Sequence, residues 1–401
     1  LQMLGNADRI ANPNPDFTGL FIVGGSANPG AQTTLDATGA IGAATDDSVE
    51  NVEIRNDATL VIDAPNAVNP ARELRMDGDS ELQLTESQTL AGIDFMGPDA
   101  EIKLAGTKTL TLNTPATDNQ TAQRIAGSIS GNGNFTHNGD GKLALGPSRE
   151  NGGSGQTTFT GTTRINGGGE LALQTENALG GSSRVIISNG STLTIEAAFK
   201  GSAPPPDDDS GDNGEDSGES PPPVITRGGG QLSMPKTSTQ PTPKQMSKSK
   251  SGKPPIDPAA DPPPLDGALN PNVDLEIGFY DGSNSQAKLA GDQSVDSLNL
   301  GRNATLTVQS QDRLTVGSDQ GESVIRGDIF IARSDGYDPN SSGNKANTEL
   351  VFKGDGSKDR ATATIEGTGL SFDELIVIDG ASLQVNTADG IADAQEITVK
   401  S

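Results

Sequence analysis

The fold is decided by a stretch that reads Val185-Ile186-Ile187 and, one residue later, Asn189-Gly190-Ser191-Thr192-Leu193-Thr194-Ile195. After the turn, apolar residues recur at every second position, which is the period of a β-strand. Asn and Gly adopt the positive φ angles that close tight corners more readily than other residues. The stretch therefore predicts a unit of strand, tight turn and strand.

The same unit recurs along most of the chain at a nearly constant spacing. Leu60 and Leu82 lie 22 residues apart, Leu82 and Ile102 lie 20 apart, and Leu171 and Leu193 lie 22 apart. Short repeats of this kind are typical of solenoids, in which each coil stacks on the one before and equivalent apolar side chains align along the axis. We therefore predict an all-β fold, a right-handed parallel β-helix.

The composition suits the thin core of a solenoid better than a compact domain. Of 401 residues, only 31% are hydrophobic and 3% aromatic. The net charge of −26 argues against binding of nucleic acid and against attachment to anionic membranes. The absence of Cys excludes disulfide frameworks and thiolate metal sites. No apolar run is long enough for a membrane-spanning helix, so we expect no direct membrane insertion.

Residues 203–265 break the repeat and contain fifteen of the chain's 25 prolines. Proline cannot donate to a β-ladder and apolar residues are scarce here, so we predict a disordered, Pro-rich, charged insertion. A loop extruded from one coil is favoured, while a recognition arm or a linker between two solenoid segments stays open. The predicted organisation is a β-helix segment over 1–202, the insertion, and a second segment over 266–401. The final residues read as a strand, so we expect the β-helix to continue past the C-terminal end.

A family resemblance is confined to residues 131–180. The blocks that carry it are Gly131-Asn132-Gly133-Asn134-Phe135, Gly141-Lys142-Leu143-Ala144-Leu145-Gly146, Thr158-Phe159-Thr160-Gly161, Gly169-Glu170-Leu171-Ala172-Leu173 and Asn177-Ala178-Leu179-Gly180. In this order they resemble the autotransporter-associated β-strand repeat of Gram-negative passenger regions. The Gly-rich run at 151–155 departs from the family pattern by lengthening one turn.

The resemblance implies a structural passenger stalk that serves adhesion or display at the cell surface or outer membrane, or after secretion. It also implies a signal peptide upstream and a membrane β-barrel downstream in the same polypeptide. The expected partners are a host-cell or extracellular-matrix protein, or neighbouring cells. A fold does not by itself assign a function, so two alternatives stay open. They are a polysaccharide-active parallel β-helix enzyme and a cleaved, secreted binding module.

We predict no catalytic residue, no cofactor and no metal site. His137 is the only histidine, and its place next to Asn138-Gly139 predicts a surface turn. Paired acids such as Asp77 and Asp79 are interpreted as solvated side chains, because polysaccharide cleavage needs two opposed carboxylates at a defined separation. Tyr280 and Tyr337, taken singly, make a poor platform for a sugar ring.

One tripeptide is a candidate receptor-binding site. Arg326-Gly327-Asp328 is the sequence that many integrin ligands use. It lies between Val324-Ile325 and Ile329-Phe330-Ile331, so the pattern favours an ordinary turn between two strands.

Overall fold

The computed structural model describes most of the chain outside the Pro-rich insertion. The described residues are 1–5, 7–26, 28–42, 51–116, 122–146, 157–179, 181–196, 265–309, 312–318, 322–332, 348–354, 362–366, 370–371, 375–379, 381–387 and 396–400. Within these ranges the regular elements are β-strands, and no helix occurs.

Twenty strands precede the insertion in the part of the chain that the structure describes. They are β1 (Gln2–Met3), β2 (Asp8–Ile10), β3 (Phe21–Val23), β4 (Gln32–Leu35), β5 (Val52–Ile54), β6 (Thr59–Ile62), β7 (Glu73–Met76), β8 (Glu81–Leu84), β9 (Gln88–Leu90), β10 (Gly92–Met96), β11 (Glu101–Leu104), β12 (Thr109–Leu112), β13 (Gln123–Ile125), β14 (Ser128–Gly131), β15 (Asn134–Asn138), β16 (Lys142–Leu145), β17 (Thr162–Asn166), β18 (Glu170–Leu173), β19 (Arg184–Ile187) and β20 (Thr192–Ile195).

Fourteen described strands follow the insertion. They are β21 (Asp274–Ile277), β22 (Gln286–Leu289), β23 (Gln293–Val295), β24 (Ser297–Leu300), β25 (Thr305–Gln309), β26 (Arg313–Ser318), β27 (Glu322–Ile325), β28 (Asp328–Ala332), β29 (Glu349–Gly354), β30 (Thr362–Ile365), β31 (Leu370–Ser371), β32 (Leu375–Asp379), β33 (Ser382–Val385) and β34 (Glu396–Lys400).

The strands pair in parallel from coil to coil. For example, β10, β11 and β12 form one coil and pair with β7, β8 and β9 of the coil before. Over the described ranges the ladders make five sheets, which we number I to V. Their strand orders are β1-β3-β5-β7-β10 (I), β14-β11-β8-β6-β4-β2 (II), β33-β30-β27-β24-β21-β19-β17-β15-β12-β9 (III), β13-β16-β18-β20-β22-β25-β28-β31 (IV) and β23-β26-β29-β32-β34 (V).

The register confirms the predicted equivalences between coils. Leu82 pairs with Leu60 on one side and with Ile102 on the other, and Leu171 pairs with Leu193. All five of these side chains are fully buried. Burial of one such side chain contributes about 1.5–3 kcal/mol, and a coil can cover its apolar face only with its neighbours. The chain is therefore a parallel β-solenoid, as the repeat predicts.

One axial row of inward side chains runs the whole length of sheet III, and we call it the sheet III ladder. It consists of Leu90, Leu112, His137, Ile165, Ile187, Ile277, Leu300, Ile325, Ile365 and Val385.

A second row, of asparagine amides, stacks at a corner that follows sheet III. Asn138 Nδ2 donates to Asn113 Oδ1 (3.0 Å), and Asn166 Nδ2 donates to Asn138 Oδ1 (2.8 Å). Asn189 Nδ2 extends the row by donating to Asn166 Oδ1. Asn189 has φ of +53°, so the residue also closes the corner that the opening stretch of sequence predicts. We call these four residues the asparagine row.

The ladders continue across the Pro-rich insertion without a break. Strand β19 pairs with β21, and β20 pairs with β22, although the insertion lies between them in sequence. The described residues within 1–201 and 262–401 form one compact unit, and residues 202–261 lie outside the described residues. Leu265, placed by the sequence prediction at the end of the insertion, is instead part of the core, with 2% of its surface exposed. The two flanking segments are thus coils of one stack.

Candidate functional site

One corner of the solenoid is longer than its counterparts in the neighbouring coils. Four residues separate β19 from β20 and β24 from β25, whereas eight, 278–285, separate β21 from β22. We call these eight residues the Tyr280 loop. The loop starts at Gly278, whose φ is +55° and where an added Cβ would lie 2.7 Å from the Ser283 carbonyl oxygen. Only glycine allows this tight closure without strain.

The Tyr280 loop presents an aromatic side chain to solvent. Tyr280 is 71% exposed, and its ring packs edge-on against Phe279 with the centroids 5.2 Å apart. Asp281 fixes the loop to the coil before, because its Oδ2 accepts from the backbone N–H of Asn189 (2.6 Å). Its Oδ1 accepts from the N–H of Ser283 (3.1 Å), which closes the loop on itself. On the C-terminal side of Tyr280, the loop is therefore held by hydrogen bonds from two backbone N–H groups to the Asp281 carboxylate.

An ion pair orients the Tyr280 ring. Arg184 Nε donates to Glu276 Oε1 (2.9 Å), and Arg184 Nη2 donates to the Tyr280 hydroxyl (3.0 Å). The guanidinium lies 5.8 Å from the ring centroid, within the range of a cation–π contact. The hydrogen bond to Glu276 raises the pKa of Arg184 above its usual value. Glu276 itself is nearly buried, so this pair is an internal support for the exposed ring.

The predicted receptor-binding tripeptide lies directly beside this loop. Arg326 places its guanidinium 5.0 Å from the Phe279 ring centroid and donates from Nε to Glu366 Oε2 (2.8 Å). Gly327 is buried, and a Cβ there would lie 2.3 Å from the carbonyl oxygens of Ala304 and Gly301.

The backbone of the tripeptide is a corner between β27 and β28. Arg326 N–H donates to Leu300 O (2.9 Å), and Asp328 N–H donates to Ala304 O (3.1 Å). A receptor that takes the Arg326 side chain has to break its contacts with Glu366 and Phe279. In the fold, Arg326 serves as one flank of the aromatic pair at the Tyr280 loop.

A second cluster of polar and aromatic side chains lies on the outer face of sheet I, and we call it the Asp94 cluster. A β-bulge between Ile93 and Phe95 inserts Asp94 as an extra residue, so that Phe95 pairs with Arg75 and Asp94 has no partner in the ladder. Arg75 Nη1 lies 3.1 Å from Asp94 Oδ2, and its guanidinium lies 5.2 Å from the Phe95 ring centroid. Such bulges re-aim side chains and are frequent next to active sites.

Glu73 completes the Asp94 cluster with a second carboxyl group. Burial raises the pKa of Glu73, and the charge of Asp94 raises it further, while a hydrogen bond from Gln123 lowers it in part. The Gln123 amide nitrogen is 2.9 Å from Glu73 Oε1, and its oxygen accepts from Ile93 N–H (3.0 Å). Two carboxyl groups, one of them Glu73 with its raised pKa, thus share one outer face with an arginine and an aromatic ring.

His137 is not in a surface turn, and that prediction is wrong. The residue is fully buried on β15 and points into the sheet III ladder between Leu112 and Ile165. Its Nε2 lies 3.2 Å from the carbonyl oxygens of both Gly141 and Glu170. Burial lowers the pKa of His137, an effect that the carbonyl oxygens of Gly141, Glu170 and Leu112 offset in part.

The acids interpreted as solvated are placed as follows. Asp79 is exposed, and Asp77 is half-buried and accepts from the backbone N–H of Asn56 at the adjoining corner (3.3 Å). Tyr337 lies outside the described residues. Among the side chains that are described, no group of three or more His, Asp or Glu is arranged to hold a metal ion. A search of the described part for helices capable of crossing a membrane finds none.

The Tyr280 loop is the feature that sequence reasoning undervalued. Taken singly, Tyr280 predicts a poor platform, but Phe279 precedes it and the corner is longer than the repeat requires. The spacing between the apolar residues on either side of this corner is the sequence feature that could have revealed the loop. Its partner Arg184 lies 96 residues away across the insertion, so no local pattern pairs the two.

Comparisons with known proteins return no family model, no curated protein and no solved structure that matches this chain. The likeness to the autotransporter repeat therefore rests on the residues of 131–180 alone.

Proposed function

We propose that the chain is the structural passenger stalk of a surface-exposed autotransporter and serves adhesion or display. The observation that carries the proposal is the unbroken parallel ladder, in which Ile187 pairs with Ile277 across the Pro-rich insertion. A stack of this kind resists bending because each coil is hydrogen-bonded to the next along its strands. A long insertion can then leave one corner without interrupting the stack.

The repeat-like segment supports the same proposal. Phe135 and Phe159, from the aromatic positions of the motif, are both fully buried with ring centroids 6.3 Å apart. Asn177 has φ of +55° and donates from its N–H to Gly267 O (3.1 Å), so the Asn-Ala-Leu block forms a corner. The motif residues therefore build the core and the corners of the solenoid. This suits a stalk that carries its binding functions elsewhere on its surface.

The proposal is tested by locating the chain in a Gram-negative cell that expresses its complete gene. An epitope placed in the insertion, near residue 230, is expected to be labelled by antibody on intact cells and removed by external protease. A periplasmic marker protein in the same cells is the control and stays protected. Labelling that appears only after lysis rejects surface display.

A cleaved, secreted binding module differs from a stalk in one measurable respect. The secreted form accumulates in the culture medium, whereas the stalk remains in the washed cell fraction. Immunoblots of both fractions against the same epitope separate the two.

A polysaccharide-active enzyme is the second candidate, and the Asp94 cluster is the observation that favours it. Glu73, with its raised pKa, is suited to donate a proton to a leaving group, while Asp94 is suited to act as base or nucleophile. Such an enzyme releases new reducing ends from a polysaccharide, and Glu73→Gln and Asp94→Asn each lower that rate about a hundredfold or more. Glu101→Gln, on the outer face of β11, is the matched control. A wild-type chain that releases no reducing ends from neutral and acidic polysaccharides rejects this candidate.

A further inference from the structure

We infer that the Tyr280 loop is a binding site for a neutral pyranose sugar within a glycan, with the exposed Tyr280 ring as the stacking surface. The inference gives the adhesive role a ligand class and rests on that proposed function for its biological setting. The site consists of Tyr280 and Phe279, supported by Arg184 and Arg326, with Asp281 at its rim.

The exposed aromatic ring of Tyr280 is already ordered before any ligand binds. Tyr280 remains 71% exposed while its hydroxyl accepts from Arg184 Nη2 (3.0 Å) and its ring contacts Phe279 edge-on at 88°. An aromatic side chain that is already fixed loses little conformational entropy on binding, which is why rigid Tyr residues dominate many interfaces. No other aromatic residue in the described ranges exceeds 38% exposure, the value for Phe330.

The Tyr280 loop is longer than the fold needs. The equivalent corners before and after it contain four residues each, and the Tyr280 loop contains eight. Its additional residues are tied back by Asp281 to Asn189 and Ser283 rather than left as an untethered excursion. A longer corner that is rigidly held and carries an exposed aromatic pair has the features of a binding loop on a scaffold.

The charges around the Tyr280 ring favour a neutral ligand. Arg184 is neutralised by Glu276, and Arg326 by Glu366, so neither arginine offers a free charge to an anion. Asp281 and the chain's net charge of −26 repel acidic sugars further. A cationic ligand meets the guanidinium of Arg184 beside the ring.

The polar groups next to the Tyr280 ring favour a hydroxyl-bearing ligand over an apolar protein surface. The Tyr280 hydroxyl and the Arg184 guanidinium lie at the ring, and the neighbouring Asp281 carries a carboxylate, so donors and acceptors are both present in the loop. An apolar partner desolvates these groups without replacing their bonds to water, which is costly. A pyranose ring offers an apolar C–H face to the tyrosine and hydroxyl groups to the rim.

The test is titration of the purified full-length chain with neutral gluco-, manno- and galacto-oligosaccharides, followed by calorimetry and by tyrosine fluorescence. An oligo-uronic acid and an oligolysine peptide are the charged comparison probes. We expect at least one neutral series to bind, with an affinity that does not change between low and high salt, since no net charge is neutralised.

Variants assign the binding to the ring. Tyr280→Ala is expected to weaken binding about tenfold or more, and Tyr280→Phe to retain most of it, because the stacking surface remains. Phe330→Ala, which removes an exposed aromatic ring from β28, leaves the affinity unchanged. Circular dichroism and thermal unfolding confirm that each variant is folded.

The inference is overturned if no neutral oligosaccharide binds, if only a charged probe binds, or if Tyr280→Ala binds as the wild type does. These results do not depend on cell-surface labelling, so failure of the sugar site and failure of the stalk proposal are separate outcomes.

Discussion

At the scale of single residues, His137 shows how a polar side chain is accommodated in an otherwise aliphatic row. Leu112 precedes it and Ile165 follows it in the sheet III ladder. Its Nε2 lies within hydrogen-bonding distance of two carbonyl oxygens, which suits a neutral imidazole that donates from that nitrogen. Burial lowers its pKa because a charged imidazolium is poorly solvated there.

The lowered pKa predicts that His137 makes the fold sensitive to acid. The unfolded chain binds a proton at this residue near pH 6.5, whereas the folded chain does so only at lower pH. Stability contributed by the neutral histidine is therefore present above about pH 6.5 and is lost as the pH falls below it. His137→Leu is expected to be about 1 kcal/mol more stable than the wild type at pH 7. The difference in stability between the two proteins is expected to grow as the pH falls.

The measurement is denaturant unfolding of both proteins at several pH values between 7.5 and 5. The difference between the two curves cancels the titration of the carboxylates they share. Parallel curves contradict the assignment of the acid sensitivity to His137.

The asparagine row gives a second prediction at this scale. Asn138→Ala and Asn166→Ala each remove the side-chain hydrogen bond that the two residues share. Each is therefore expected to lower the free energy of unfolding by about 1 kcal/mol. The double variant costs less than the sum of the single variants, because the shared bond is lost only once. Asn386→Ala, an exposed residue outside the row, serves as the control in the same chemical denaturation. Additive costs contradict a coupled row.

At the scale of elements, the corners and the ladders carry separate tasks. Ladder pairing is set by strands such as β19 and β21, while the connections between strands vary from the single residue between β9 and β10 to the whole Pro-rich insertion. A corner can lengthen freely because its residues add no strand to any sheet. Loop closure then costs only slightly more as the loop grows.

This separation predicts that the insertion is dispensable for folding. Replacement of residues 203–261 by a short Gly-Ser linker leaves the pairing of β19 with β21 and of β20 with β22 intact. We expect the strand signal in circular dichroism to be retained and the melting temperature to change by less than about 3 °C. An equal-length Gly-Ser replacement of 286–300, which removes β22 to β24, is the control and is expected to unfold the chain. Loss of the strand signal in the first variant contradicts the prediction.

At the scale of the whole molecule, the sequence predicts the stack of coils far better than the surface sites. Leu60, Leu82 and Ile102 repeat because each coil must bury the same side chain against its neighbour, so the spacing alone predicts their register. His137 escaped this reasoning because Asn138-Gly139 next to it has the composition of a turn, while β15 runs on through Asn138.

The outward clusters could not be derived from the repeat at all. Arg184 and Tyr280 meet because the ladder brings together coils on either side of the insertion. Arg75 meets both Asp94 and Phe95 because a bulge shifts the register by one residue. Contacts of this kind depend on which coils are neighbours and on local irregularities, and neither is encoded in a short stretch of sequence.

The coil-to-coil pairing of the strands has a consequence for position as well as for stability. Adjacent strands are about 4.8 Å apart, so every coil advances the chain by the same increment along the axis. The position of any surface feature along the axis is therefore fixed by the number of coils that precede it. Insertion or removal of one complete coil below the Tyr280 loop moves its aromatic ring by about 4.8 Å along the axis, while lengthening a corner leaves the position of the ring along the axis unchanged.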